Sequence, residues 1–205
     1  RCGFLGLLHL DVVQERLERE YDLSLILSAP SVRYRVVLND DSEVWVDNPT
    51  FYPDPATIKE AHEPYIKATI MTPERYLGTV MELCRERRGV ETTFHYLSAG
   101  RMEVVSQLPL AEVLFDFYDR LKSITQGYGS FDYELLDYRL GDMVKVDILV
   151  NGEKVDALSQ LVHREFSRPR ALRYCERLAK TIPRQQFKIA IQGAIGGQII
   201  ARTTI

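Results

Sequence analysis

The sequence predicts an α+β protein built around a ferredoxin-like, split β-α-β domain. Three observations predict it. Between residues 64 and 141 the patterns run strand, helix, strand, strand, helix, strand. Both helical patterns carry a single apolar stripe, suited to one face of an antiparallel sheet. Ser98-Ala99-Gly100-Arg101 separates the two middle strands with a hairpin signal.

The elements follow in chain order. Residues 5 to 21 read as a helix, with Leu10, Val13, Leu17 and Tyr21 at helical spacing and polar residues between them. Leu23 to Leu27 and Val32 to Leu38 are β-rich and separated by Pro30. Together they resemble the closing half of a second ferredoxin-like unit. Residues 39–63 hold Asn39-Asp40-Asp41-Ser42 and three prolines, so a linker is expected there.

Tyr65 to Met71 alternates as a strand. Thr72-Pro73 is a helix start, Leu77, Val80, Met81 and Cys84 are its stripe, and Gly89 is its expected close. Val90 to Leu97 and Met102 to Leu108 pair around the turn. Pro109 opens a second helix with Leu110, Val113, Leu114, Phe117, Leu121 and Ile124 inward, ended by Gly127. Phe131, Tyr133 and Leu135 alternate in a last strand.

A third region starts at residue 142. Val144 to Val150 and Glu153 to Val155 flank Asn151-Gly152, the preferred dipeptide of a two-residue hairpin. Ala157 to Glu165 and Pro169 to Thr181 read as helices. Phe187 to Gln192 and Gln198 to Thr204 flank Gly196-Gly197 as a second hairpin.

Charge divides the chain. From Met143 onward there are 11 Lys and Arg against 5 Asp and Glu, while the whole chain has a net charge of −3. Such asymmetry suggests that the basic part meets a polyanion, nucleic acid being the commonest. Hydrophobic residues make up 45% and charged residues 27%, ordinary globular usage. No segment approaches the roughly 20 apolar residues that cross a bilayer. The start, Arg1-Cys2-Gly3-Phe4-Leu5, lacks Met and reads as the inside of a domain, so a longer parent is expected. Cys2, Cys84 and Cys175 are few and far apart, which argues against a disulfide framework or a zinc site.

Arg170, Arg173, Arg177 and Lys180 are spaced 3, 4 and 3 apart, on the side of a helix opposite Leu172, Cys175, Leu178, Ala179 and Ile182. That spacing suits a phosphate backbone, although a solvated basic face is common. Arg184, Gln185 and Gln186 project from the connector after Pro183, within reach of phosphates or base edges. Lys154 at a hairpin tip, with Arg164 and Arg168 near it in sequence, extends the same expected surface. Gly193-Ala194-Ile195-Gly196-Gly197 lacks the Lys-Ser/Thr ending of a phosphate loop and reads as a turn. Asp156, Ser159 and His163 lack the strained turn and oxyanion hole of a hydrolase. His9, His62, His95 and His163 lack ligand spacing. No catalytic residue and no metal ligand is expected.

Several stretches resemble one family over nearly the whole chain. They include Arg1-Cys2-Gly3-Phe4-Leu5-Gly6-Leu7-Leu8-His9, Leu108-Pro109-Leu110-Ala111-Glu112, Asp119-Arg120-Leu121-Lys122-Ser123 and Gly127-Tyr128. The most specific are Asn151-Gly152-Glu153-Lys154-Val155-Asp156-Ala157-Leu158 and Ile182-Pro183-Arg184-Gln185-Gln186-Phe187. They are similar to the C-terminal part of the elongation factor 4 (LepA) family, translational GTPases related to elongation factor G. The resemblance implies the end of domain III over residues 1–38, a ferredoxin-like domain V over 64–141, and the start of a family-specific C-terminal domain from 142. It implies ribosomal RNA, ribosomal proteins and transfer RNA as partners, with back-translocation of transfer RNA as the parent's role. It also implies a GTPase domain of the same chain, outside this sequence, that uses GTP and Mg²⁺; no cofactor is expected in this part. A cytoplasmic location is implied, with peripheral association of some members with the inner membrane. The competing reading is a protein–protein interaction module without direct RNA contact.

Overall fold

A single 16-residue strand, Ile58–Pro73, is the spine of the larger sheet. The computed structural model describes residues 7–25, 32–98, 100–114, 116–183 and 186–205. Helix α1 spans Leu7–Tyr21. Residues 22–25 form no regular element, and the rest of the strand expected at Leu23 to Leu27 lies outside the described residues. Strand β1 (Tyr34–Leu38) pairs antiparallel with β2 (Glu43–Val46) and with β3 (Ile58–Pro73). Residues 34–38 therefore extend the central sheet.

The expected linker, residues 39–63, is folded instead. Its prolines and short polar residues are turn chemistry. Asp40 accepts hydrogen bonds from the Ser42 amide and hydroxyl at 3.0 and 2.5 Å. Asn48 and Asp54 cap 3-10 turns that begin with Pro49 and Pro55. Ile58 to Pro64 then form the first part of the strand expected only from Tyr65, with a register shift between Pro64 and Ile66.

The ferredoxin-like order follows. After a 3-10 turn at Glu74–Tyr76 come α2 (Leu77–Glu86), β4 (Val90–Ser98) and β5 (Arg101–Pro109). A 3-10 turn at Leu110–Glu112, α3 (Phe117–Ile124) and β6 (Ser130–Leu140) complete it. The sheet runs β2-β1-β3-β5-β4, with β6 also on β3. His62 pairs with Arg35 of β1 and with Leu140 of β6, so β1 and β6 lie on opposite edges of β3. Ile66, Ala68, Ile70, Val104 and Leu108 face Val80, Leu83, Phe117 and Leu121, all essentially buried. Each of these side chains except Ala68 contributes about 1.5–3 kcal/mol of burial.

Two expectations change here. Arg88 (φ 62), not Gly89, takes the left-handed position after α2. Gly89 is needed for closeness: a Cβ there would lie 2.7 Å from the Cys84 carbonyl oxygen and from Ser106 Oγ. The helix expected from Pro109 onward is a 3-10 turn, then a break, then α3. Arg87 takes the Glu112 carbonyl at 3.4 Å and the Asp116 carboxylate at 2.7 Å, groups that a continuous helix would use or point elsewhere.

The second sheet comprises β7 (Met143–Val150), β8 (Glu153–Lys154), β9 (Gln160–His163), β10 (Ala190–Ile195) and β11 (Gln198–Thr204), covered by α4 (Arg164–Thr181). Asn151 (φ 54) and Gly152 (φ 83) make the expected tight turn. The helix expected over Ala157 to Glu165 is a 3-10 turn followed by β9. Leu161 and Val162 are both buried, one in the junction core and the other under α4. Burial on both faces removes the alternation that identifies a strand. Helix α4 runs unbroken through Pro169.

The two sheets meet over Val32, Tyr34, Val36, Val46, Ala61, Met143 and Leu161. The Tyr52 hydroxyl donates to the Met143 carbonyl at 3.1 Å across this junction. Beneath it lies a chain of buried charges. Glu63, 1% exposed, accepts from Arg88 at 2.5 and 3.0 Å. Glu112, 4% exposed, lies 3.8 Å from Arg88 and accepts from Arg170 of α4. Gly141 lies against this chain, since a Cβ there would stand 2.7 Å from Glu63 Oε1. Burial, reinforced by the nearby Arg87, pushes the Arg170 guanidinium down to about 10. Burial likewise pushes the Tyr34 hydroxyl well above its usual range, and Glu63 adds to the effect.

Removing one partner of a buried pair strands the other. Arg170→Met is expected to lower stability by about 3 kcal/mol in urea unfolding. Adding Glu112→Gln should recover part of that loss; an unchanged midpoint in the single variant would contradict the linkage. Burial also raises the Cys84 thiol to about 11. A raised acid keeps its proton in the fold, so this contribution to stability is complete below an unfolded thiol value of about 8.5 and fades as pH rises toward the folded value. At pH 8.5 iodoacetamide should leave Cys84 unmodified in the native protein and label it in urea, as read by peptide mass spectrometry.

Candidate nucleic-acid interface

Helix α4 owes its orientation to small residues. Ser167, Ala171 and Cys175 are buried against the sheet at 6%, 3% and 0% exposure. A Cβ on Gly193 of β10 would stand 2.8 Å from Ala171 Cβ, so the helix sits directly on bare backbone. Fixing that face inward turns Arg173, Arg177 and Lys180 outward at i, i+4 and i+7, on one side of the helix. All three are exposed, and none has an ion pair among the described residues. Arg173 also lies near enough to Arg170 to oppose its charge.

The other expected residues divide. Arg168 is exposed and unpaired among the described residues, but five positions before Arg173 puts it about 140° around the helix. It shares that flank with Leu172, which is 42% exposed although sequence reading placed it inward. Arg170 turns away from the stripe to the buried Glu112. Arg164 bonds the Asp142 carboxylate at 2.8 Å. Lys154 pairs through β8 with Leu149, on the sheet face away from α4. There it bridges Asp147 at 3.1 Å and Asp156 at 3.7 Å, and the Asp147 bond raises its ammonium above the ordinary range. Gln186 is exposed; Arg184 and Gln185 lie outside the described residues. Lys188 and Arg202 are further exposed cations that no periodicity marked in the sequence.

The remaining chemistry is already satisfied. Ser159 Oγ donates to Asp147 at 2.9 Å, while the His163 ring faces Phe166, so Asp156, Ser159 and His163 are not assembled. A cleft of about 750 Å³ lies between the sheets, lined by Tyr52, Lys59, Asp142, Lys145 and Arg164 among others. Each cation in its wall pairs with a carboxylate: Lys59 with Asp41, Lys145 with Asp147 and Arg164 with Asp142. The cleft therefore offers no surplus positive charge, since Asp54 and Glu60 line it as well. The surplus lies on α4, where three neighbouring cations can meet successive phosphates.

Two family models together match residues 60–205 and meet at the end of β7. The model of the family described as Elongation factor G C-terminus matches residues 60–149. That described as GTP-binding protein LepA C-terminus matches residues 150–205. Elongation factor 4 of Syntrophus aciditrophicus (strain SB) is 68% identical over all 205 residues. The corresponding protein of Desulfotalea psychrophila (strain LSv54 / DSM 12343) is 66% identical, and Elongation factor 4 2 of Rhodopirellula baltica is 67% identical, again over the whole chain. In each case the chain spans 34% of the relative's length. With every residue of the chain inside these matches, and two C-terminal family models side by side along it, the chain belongs to the elongation factor 4 family, to whose C-terminal part it corresponds.

Proposed function

We propose that this chain is a ribosome-binding part of a translation factor, and that α4 grips the phosphates of transfer RNA through Arg173, Arg177 and Lys180. The observation that carries this reading is three cations, unpaired among the described residues, on one exposed face of a closely seated helix. Each contact with a phosphate releases condensed counterions, so such a face gains affinity from any RNA backbone it can follow. Arg168 lies on another side of the same helix, and Arg184, Gln185 and Gln186 follow it in the sequence.

The longer parent would add GTP hydrolysis, holding GTP and Mg²⁺ in a domain outside this chain, and would couple it to backward movement of transfer RNA. In that scheme this part supplies grip and no hydrolysis. We place the protein on cytoplasmic ribosomes. Among the described residues no helix is long and apolar enough to cross a membrane; peripheral association of the parent with the inner membrane belongs to the same proposal.

Reversing charge at Arg173 and Arg177 tests the proposal. Each change to Glu should weaken transfer RNA binding by about 1 kcal/mol or more. Each should also reduce the slope of log affinity against log salt by about 1. Wild-type affinity that ignores salt, or ribosome association that persists after nuclease treatment, would favour a protein-interaction module instead.

A further inference from the structure

At one end of the ferredoxin-like domain, aromatic rings and cations alternate. The Arg75 guanidinium carbon lies 4.9 Å from the Tyr76 ring centroid and 5.4 Å from that of Tyr128. Lys122 Nζ lies 5.3 Å from the Tyr118 ring and donates to the Gly127 carbonyl at 3.3 Å, which ties it to the residue before Tyr128. The sequence around the surface is thus ring, cation, ring, cation, ring. Tyr128 is 63% exposed and Tyr118 is 50% exposed. Among the described residues neither Arg75 nor Lys122 has a carboxylate partner.

The segment that presents Tyr128 is held firmly. Gln126 (φ 52) and Gly127 (φ 86) turn the chain sharply after α3. The buried Thr125 hydroxyl donates to the Leu121 carbonyl at 2.7 Å and accepts the Gly129 amide at 2.8 Å. A Cβ on Gly129 would stand 2.8 Å from that hydroxyl oxygen. Backbone and hydrogen bonds on both sides of Tyr128 are therefore fixed, while its ring remains in solvent.

We propose that Tyr76, Arg75, Tyr128, Lys122 and Tyr118 form a second RNA contact, a stacking ladder for unpaired bases of a single-stranded or looped segment. The exposed Tyr118 and Tyr128 rings, the half-buried Tyr76 ring and a flat guanidinium offer π faces that any base can match, and cations without carboxylate partners among the described residues fit the adjoining phosphates. A paired stem keeps its bases stacked inside and cannot use the rings. The ladder is chemically unlike the α4 stripe, which reads charge alone and carries no aromatic side chain among Arg173, Arg177 and Lys180.

The test uses this chain with two probes, a 12-nucleotide oligo(A) and an A-form RNA duplex of the same length. Tyr128→Ala should weaken oligo(A) binding about tenfold or more while leaving its salt slope and the duplex affinity unchanged. Tyr128→Phe should preserve oligo(A) binding, since the ring face remains. Arg75→Ala should lower both the affinity and the slope for oligo(A). Tyr118 and Tyr128 are exposed, so unchanged thermal unfolding of the variants keeps the comparison valid. The ladder is overturned if Tyr128→Ala and Arg75→Ala bind oligo(A) like wild type, or if both probes weaken equally. Because Arg173→Glu should move the duplex affinity and its salt slope, failure at α4 and failure at the ladder give different results.

Discussion

Two carboxylates that folding removes from water, Glu63 and Glu112, set the terms for the rest of this structure. An ionised carboxylate in a low-dielectric interior is tolerable only when paired and hydrogen-bonded. Arg88 satisfies Glu63 from the end of α2, and Arg170 reaches Glu112 from α4. The pairing therefore couples the ferredoxin-like sheet to the helix that covers the second sheet. It also removes one cation from the α4 surface and leaves three others free to face solvent. The buried pair thus decides which α4 cations stay free, on a helix whose orientation its small residues set.

The core beneath that linkage is divided in a way that explains the two apolar sequence signals. Phe117 and Leu121 close one core over β3 and β5, and Ala171 and Cys175 close another over β7 and β10. A third cluster, with Tyr34 and Leu161, joins them. Most of the largest buried side chains sit in the first core, whereas α4 meets the second through small residues that bring the helix close. That difference fits their tasks: the first needs mass for stability, the second needs a short, stiff distance between helix and sheet.

Much of this was legible in the sequence. The split β-α-β order followed from alternation and from two amphipathic stripes, and the tight turn at Asn151-Gly152 from its dipeptide. Three features were hidden, each for a physical reason. Residues 39–63 looked like a linker because turn-forming prolines and aspartates resemble one, yet they cap short turns between paired strands. Gln160–His163 looked helical because Leu161 and Val162 are buried on opposite faces. Arg170 looked like part of a cationic stripe because its partner, Glu112, lies 58 positions away in sequence. Helical spacing identifies which residues share a side, but a distant carboxylate decides which of them remain free. The ring-and-cation ladder was invisible for the same reason, since Arg75 and Tyr128 meet only through the fold.

The bare backbone at Gly193 gives the two sides of α4 unequal freedom to change. Any larger residue there would lift the helix off its seat and swing the outer cations to new positions, however well those cations were preserved. Positions 177 and 180, by contrast, are exposed and unpaired among the described residues, and Arg173 acts on the fold only by opposing the charge of Arg170, so the three can change at little structural cost. A protein arranged in this way can retune how strongly it holds its polyanionic partner by editing the outward residues alone, while the reach and direction of the grip stay fixed by a single absent side chain.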